Sequence, residues 1–417
     1  MFDMPNFGDL MFPIVASHEL TRRGLCVQAL SPTGADTGLR DALHSRPVRD
    51  AFNQALACDG VLIGGGYIVH THRMDPLREY REGGIGAAVG PAMWLGITLA
   101  AALRDVPVAW NAPGVPHPLR PGVRSLAAAA FAAADYLSMR DKGSIRMAGL
   151  ADAPQSMVVP DTILGLQSVW PRADLAGDFE RLCSRFGLVR QDGLLACHVR
   201  RRSLGGMVID DFAEALAGVC RQEHLTPVMI GLGTAHADDR IARELTAALR
   251  QQGVAAAALD RPDGLREIAA LIANARLYAG SSLHGYIAAA AYGVPGLLVA
   301  RPAYRKFDGL ISHLQRPQDL MPGWPEALAA MSEALKAPPT PLLSCLVERL
   351  SEHWDAIADA FSAGPAPKRR ARLDFAASAI SAGLGQGGLN WAMTPFTTAK
   401  NRAASLGSED LRDTEPF

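Results

Sequence analysis

One pattern constrains this chain more than any other. Short runs of Val, Ile and Leu recur between Ala-rich stretches of helical length, from about residue 25 to residue 299. Such runs make strands buried on both faces, and those strands need helices above and below them, as in parallel βα units. Leu25–Leu30, Gly60–Ile63, Val106–Trp110, Tyr136–Met139 and Met157–Val159 are the expected strands of a first half. Leu194–Val199, Pro227–Ile230, Ala255–Leu259, Leu277–Ala279 and Gly296–Val299 are those of a second. Helices are expected near 10–23, 40–57, 91–104, 121–134 and 141–150, then near 208–223, 237–252, 264–274 and 284–292. The fold class is therefore α/β, with two Rossmann-like doubly wound domains.

The 417 residues are enough for two or three domains at about 100–200 residues each. The join is expected where Trp170-Pro171 disfavours helix, which gives domains over 1–168 and 169–337. After Pro338–Pro341 an amphipathic helix within 338–363 is expected to cross back to the first half. From Gly364 the composition changes, with a basic run at 368–372 and glycines between 383 and 388, so residues 364–417 are expected to be a mobile tail.

The start of the chain breaks the pattern. A doubly wound sheet begins with a central strand whose following turn faces the ligand. Here Asn6-Phe7-Gly8-Asp9 looks like that turn, with a helix after it, but only five residues precede it. The first strand is expected to be missing, or to be encoded upstream. Its absence would leave buried backbone groups unpaired at about 1–3 kcal/mol each.

Several function classes are set aside by composition. Lys plus Arg (41) balances Asp plus Glu (42), so no global field recruits nucleic acid or an anionic membrane, and an anionic ligand must be held by local groups. Six scattered cysteines without a CxxC pair, and no secretory signal at the start, favour free buried thiols in a reducing cytoplasm. The uncharged stretch Gly83–Leu103 is long enough to span a bilayer. Its Ala, Gly and Pro91 content instead fits a buried helix under a parallel sheet.

The chemistry-bearing residues gather at expected strand ends. Asn6, Gly8 and Asp9 enter a helix, so backbone N–H groups there can face an anion or sugar, and Asp9 can cap the helix or accept a hydroxyl. Gly65 and Gly66, within a glycine triplet after Ile63, allow close backbone approach at the sheet's C-terminal edge. Arg140, followed by Asp141, can clamp a phosphate or carboxylate with paired donors. Arg200, Arg201 and Arg202 concentrate positive charge after His198, with His198 and Arg200 on one face by alternation. Ser281, Ser282 and His284 open a helix and bring two hydroxyls and an imidazole to its positive end. Metal binding by His236, Asp238 and Asp239, or by His70 and His72, is not expected, and no cofactor is indicated.

The order of these pieces, NxGD, then GGG, SxRD, a basic strand end, SSLHG and GVP, resembles the polysaccharide pyruvyltransferase family from about Asn6 to about Leu335. The resemblance implies a glycosyltransferase-B-like arrangement of the two domains. It also implies transfer of pyruvate from phosphoenolpyruvate to a sugar as a ketal, during bacterial surface polysaccharide synthesis. The acceptor would be a sugar or lipid-linked oligosaccharide. The enzyme would be cytoplasmic, with a peripheral seat on the inner face of the membrane as an option. Many members carry Arg two positions before the His, where this chain has Ser282, a variant also found in the family, which removes one candidate phosphate ligand. Within that reading Arg140, Arg200 and then Arg201 hold the donor, His284 is the acid/base group, and Asp9 is its carboxylate partner across a closed cleft. Lys306 either extends the anion site or is a surface lysine. Two other functions fit the same frame: a sugar-nucleotide glycosyltransferase and a non-catalytic binding or assembly protein.

Overall fold

The computed structural model describes residues 2–53, 56–150, 157–189, 193–233 and 237–405. In the first half β1 (Ala29–Ser31) pairs in parallel with β2 (Ser45–Pro47), and β3 (Val61–Ile63) pairs in parallel with β4 (Val108–Trp110). Single bridges Ala109↔Tyr136 and Met139↔Val158 extend the second pair. The strands expected at 136–139 and 157–159 are reduced to these bridges because side chains replace part of the ladder. The Ser138 hydroxyl accepts from Ala112 N at 3.0 Å and donates to Trp110 O at 2.6 Å.

The second half holds one parallel sheet made from β5 (Gly193–His198), β6 (Leu225–Ile230), β7 (Ala257–Leu259), β8 (Leu277–Gly280), β9 (Gly296–Val299) and β10 (Leu320–Met321). Its order is β10-β9-β8-β5-β6-β7. The connections reverse direction between β5 and β8, and such a switch point leaves a crevice at the C-terminal strand ends. Side-chain alternation divides the core. Leu194 and Ala196 face helices Leu265–Ala273 and Leu283–Ala291, while Leu195 and Cys197 face helices Ile209–Glu223, Asp238–Gln251 and Trp324–Ala334.

The helix Phe7–Thr21 is apolar over most of its circumference, and residues 10–16 are all buried. Phe7, Leu10, Met11, Phe12 and Ile14 join the core of the second half, whereas Val15, Ala16 and Leu20 meet Ala109, Trp354 and Ile357. Residues 2–6 before it form a turn and one antiparallel bridge, Asn6↔Gly233, rather than a strand. Among the described residues β1 and β3 are not paired with each other, and an apolar trough of about 540 Å³ lies between them. Ala29, Leu30, Val61, Leu62, Phe12 and Ile97 line it.

Other expectations are corrected. The helix expected near 40–57 is β2 followed by a short 3₁₀ turn, Val48–Phe52, because Pro47 disfavours helix at Arg46. β10 escapes a periodicity search because it is only two residues long. Part of the tail expected to be mobile is a docked helix, which kinks at Gly388. Helix Arg369–Ser405 lies on helices Ile97–Arg104 and Pro121–Ala132, with Phe375 fully buried. The basic run contributes to that docking, since buried Arg372 donates to Asp135 at 2.5 Å. The uncharged stretch ends in helix Ile97–Arg104, which packs with Trp94 beneath β3 and β4. No described helix is long and apolar enough to cross a membrane. All six cysteines are free; Cys197 and Cys220 are buried, whereas Cys26 and Cys345 are exposed, against the expectation of burial.

Helix Ser344–Ser362 returns to the first half and plants His353 against β4. His353 Nε2 meets Asn111 Oδ1 at 3.0 Å and Nδ1 meets the Tyr136 hydroxyl at 2.8 Å. Burial pushes this imidazole down to about 3 from an ordinary 6.5. The unfolded chain therefore binds one more proton between those values, and stability falls as pH drops through that window. The expected slope from this residue is ~1.4 kcal/mol per pH unit. Denaturant unfolding between pH 4.5 and 6.5 checks it, because His353→Gln should flatten the wild-type slope. Arg372→Met leaves Asp135 buried without its partner and should cost about 3–5 kcal/mol, read as a lowered unfolding midpoint.

Candidate functional site

The C-terminal ends of the second-half strands, the start of helix Phe7–Thr21 and the loops after β3 and β4 enclose a polar cleft of about 510 Å³. Asn6, Gly8, Asp9, Arg140, Arg200, Ser282 and His284 line it, together with Arg202, Tyr67 and Lys306.

His284 stands on the first turn of helix Leu283–Ala291, capped by the Ser282 hydroxyl, which accepts from Gly285 N at 3.4 Å. Its ring lies against Gly8, where an added Cβ would sit 1.8 Å from Nδ1, and edge-on to Phe12 at 5.6 Å. Glycine is thus required at position 8 for the first helix to reach the imidazole. Nε2 points to Asp161 Oδ2 at 3.7 Å. Asp161 is buried and also receives Arg140 Nη1 at 3.3 Å. Burial alone would raise the Asp161 carboxyl, but the neighbouring His284 imidazole, then the charge of Arg140, hold it below its ordinary value. Asp161 therefore joins the arginine of one half to the histidine of the other.

Asp161 is not among the site residues expected from the sequence. It follows Val159-Pro160 at an expected strand end, the same rule that selects Arg140, so the signal was present.

Arg140 stacks on Tyr67 at 4.5 Å, and its Nε and Nη2 are buried without a hydrogen-bond partner among the described residues. Arg200 Nε is likewise unpartnered and lies 4.0 Å from Asp238 Oδ1. Burial pulls the Arg200 guanidinium below its ordinary value, against the attraction of Asp238. Asp238 is itself buried beneath His198, whose Nε2 lies 3.0 Å from its Oδ2. Arg202 stacks over Tyr304 at 5.4 Å. The cleft thus holds donors aimed at an anion that the protein does not itself supply.

Several expected ligands have other roles. Arg201 is exposed and pairs with Glu244; the chain turns into a 3₁₀ segment, Arg201–Leu204, so Arg202 reaches the cleft in its place. The amides of Gly8 and Asp9 are taken up by Asn6 Oδ1, at 3.1 and 3.4 Å, so that turn caps its own helix instead of facing an anion. The Ser281 hydroxyl accepts from Arg200 N at 3.0 Å and positions that loop. Gly65 borders the apolar trough, where a Cβ would strike the Phe12 ring at 2.1 Å. Gly66 turns with φ +88° and accepts from Gly114 N at 2.7 Å. Asp239 pairs with Arg243 at 2.8 Å, and His70 Nδ1 accepts from His72 N at 3.2 Å. His236 lies outside the described residues. Among the described residues, no three His, Cys, Asp or Glu side chains are placed to hold a metal.

Lys306, on the first turn of helix Arg305–Leu314, projects into the same cleft. Burial and then the charges of Arg140 and Arg200 push its amine down to about 7.

A family model for polysaccharide pyruvyl transferase matches residues 6–302. No curated protein matches the chain. Among solved structures, the UDP-GlcNAc 2-epimerase of Neisseria meningitidis bound to UDP-GlcNAc is 9% identical, over 85% of this chain and 96% of that one, with a TM-score of 0.49. A putative UDP-N-acetylglucosamine 2-epimerase from Listeria monocytogenes is 13% identical over 86% and 89%, with a TM-score of 0.48. Resting on the family match over most of its length, the chain belongs to the polysaccharide pyruvyl transferase family and is a transferase.

Proposed function

We propose that the chain moves pyruvate from phosphoenolpyruvate to two hydroxyls of a sugar, forming a ketal during bacterial surface polysaccharide synthesis. One observation carries this reading: the unpartnered Arg140 and Arg200 donors converge on the cleft that holds the Asp161–His284 pair. The donor substrate carries a carboxylate and a phosphate, up to three negative charges, and guanidinium groups bind both with directional bonds. Arg140 and Arg200 take those groups. Arg202 restores the positive charge that Ser282 does not provide. His284, oriented by Asp161, takes the proton of an attacking hydroxyl and returns it to the leaving phosphate. Asp9 faces the same space and holds the acceptor sugar.

In this reading residues 1–168 and 169–337 are the two domains, although the first helix shares its core with the second. The enzyme works in the cytoplasm, and at the inner membrane face when the acceptor is lipid-linked.

Thermal unfolding with phosphoenolpyruvate or a uridine nucleotide tests the donor. Phosphoenolpyruvate should raise the midpoint. A rise with the nucleotide alone would assign the site to a sugar-nucleotide glycosyltransferase, and no rise with either would leave a binding or assembly role. His284→Asn should lower turnover by about 10²–10⁴ with folding little changed. Arg200→Lys keeps the charge but loses the fork, so it should chiefly raise the Michaelis constant for phosphoenolpyruvate. Asp161→Asn should weaken both turnover and stability, the latter by about 3–5 kcal/mol in a denaturant titration, because Arg140 loses its buried counter-charge.

A further inference from the structure

The cleft contains one cation that differs in kind from its neighbours. Lys306 Nζ sits among three aromatic rings, 5.6 Å from Tyr67, 5.3 Å from Tyr304 and 5.7 Å from Phe307. Arg140 covers the same Tyr67 ring and Arg202 the same Tyr304 ring, so the lysine shares each of these two rings with an arginine. The amine makes no ion pair or hydrogen bond among the described residues. Of the carboxylates lining the cleft, Asp9 pulls its charge toward the protonated form, while Arg140, Arg200 and Arg202 push against it. Arg305 beside it, Asp238, His117 and His284 complete the charged and titratable lining of the cleft.

The arginines can hold an anion but cannot release a proton near neutral pH, whereas a lysine in this setting can. The reaction proposed above, on which this inference rests, needs a proton delivered to a carbon. His284 is already committed to the hydroxyl and the leaving group.

We propose that Lys306 is the acid that protonates the methylene carbon of phosphoenolpyruvate. The π electrons of the carbon–carbon double bond form the new C–H bond with the Lys306 proton, leaving a neutral amine and an oxocarbenium centre at the neighbouring carbon. The first sugar hydroxyl attacks that centre and gives its proton to His284. The carbon–oxygen bond to phosphate then breaks, and phosphate leaves with the electron pair and the proton from His284. The second hydroxyl closes the ketal on the renewed oxocarbenium, and its proton returns to Lys306. The sum is phosphoenolpyruvate plus a diol giving ketal plus phosphate, with both protein groups restored. Rings around the amine hold it without offering it a base, which keeps the proton available to a weak carbon base.

The test follows phosphate release from phosphoenolpyruvate across pH, with a nucleotide-linked or lipid-linked sugar acceptor. Activity should fall as pH rises through the titration of Lys306, since the protonated amine is the reactive form. Lys306→Arg keeps the charge and loses the releasable proton. It should lower kcat by about 10²–10⁴, leave the Michaelis constant for phosphoenolpyruvate near wild type, and abolish that alkaline limb. Lys306→Met should in addition weaken phosphoenolpyruvate binding. If the arginine variant misfolds, Lys306→Cys treated with bromoethylamine, beside identically treated wild type, restores a primary amine and should recover turnover with a displaced alkaline limb. Wild-type kcat with an unmoved limb in Lys306→Arg, or no recovery in the alkylated cysteine variant, overturns the assignment while leaving the proposed reaction intact. A wild-type chain that releases no phosphate from phosphoenolpyruvate overturns the reaction and this assignment together.

Discussion

A single buried carboxylate joins the two halves at the point where chemistry is possible. Asp161 follows the last bridge of the first half, and its oxygens meet Arg140 of that half and His284 of the other, while Oδ1 caps the next turn through Ile163 N at 3.1 Å. A buried charge must be paired and hydrogen-bonded or it neutralises itself. The pairing therefore fixes where the arginine and the imidazole lie, and both fall in one cleft. Other links reinforce the joint. His313 reaches Arg140 O at 2.9 Å and Arg305 reaches Val115 O at 2.6 Å, each crossing from the second half to the first.

Around that joint positive charge exceeds negative. Arg140, Arg200, Arg202, Arg305 and Lys306 line a cleft in which Asp9 and Asp238 are the lining carboxylates. Cations crowded in a partly dry space raise the energy of the folded chain, and an anion bound among them would lower it again, which would couple ligand binding to stability. The whole chain is close to neutral, and the excess is a local feature built by strand ends from both halves.

Much of this was legible in the sequence, for a physical reason. Parallel strands buried on both faces are continuous apolar runs, and their C-terminal ends are where side chains can reach a crevice. Arg140, Arg200 and His284 accordingly stand at expected strand ends and line one cleft. The failures also have local causes. Arg201 and Arg202 are indistinguishable by charge, and only the 3₁₀ turn after β5 decides which of them enters the cleft. Asn6, Gly8 and Asp9 have the composition of an anion-binding turn, yet the Asn6 side chain occupies the amides that would have made it one. The tail looked mobile because its charge run reads as solvated, whereas the partner of Arg372 is Asp135, 237 residues earlier in the sequence, and such a pairing leaves no local trace.

One helix borders both the gap between β1 and β3 and the polar cleft. β1 and β3 each pair on one side only among the described residues, with the apolar trough between them. Edge groups facing such a gap lack the ladder that a central strand would supply. Helix Phe7–Thr21 forms one wall of that trough through Phe12 and Ala16, and would be expected to drift with it. It does not depend on that wall. Phe7 N donates to Leu232 O at 2.8 Å, Asn6 bridges to Gly233, and Phe7, Leu10 and Met11 are sunk in the core of the second half. The helix that brings Gly8 and Asp9 to His284 is thus anchored by the sheet that carries His284. Phe12 lines the trough and also lies edge-on to His284, so the anchoring of this helix in the second-half core is what steadies the imidazole beside the gap.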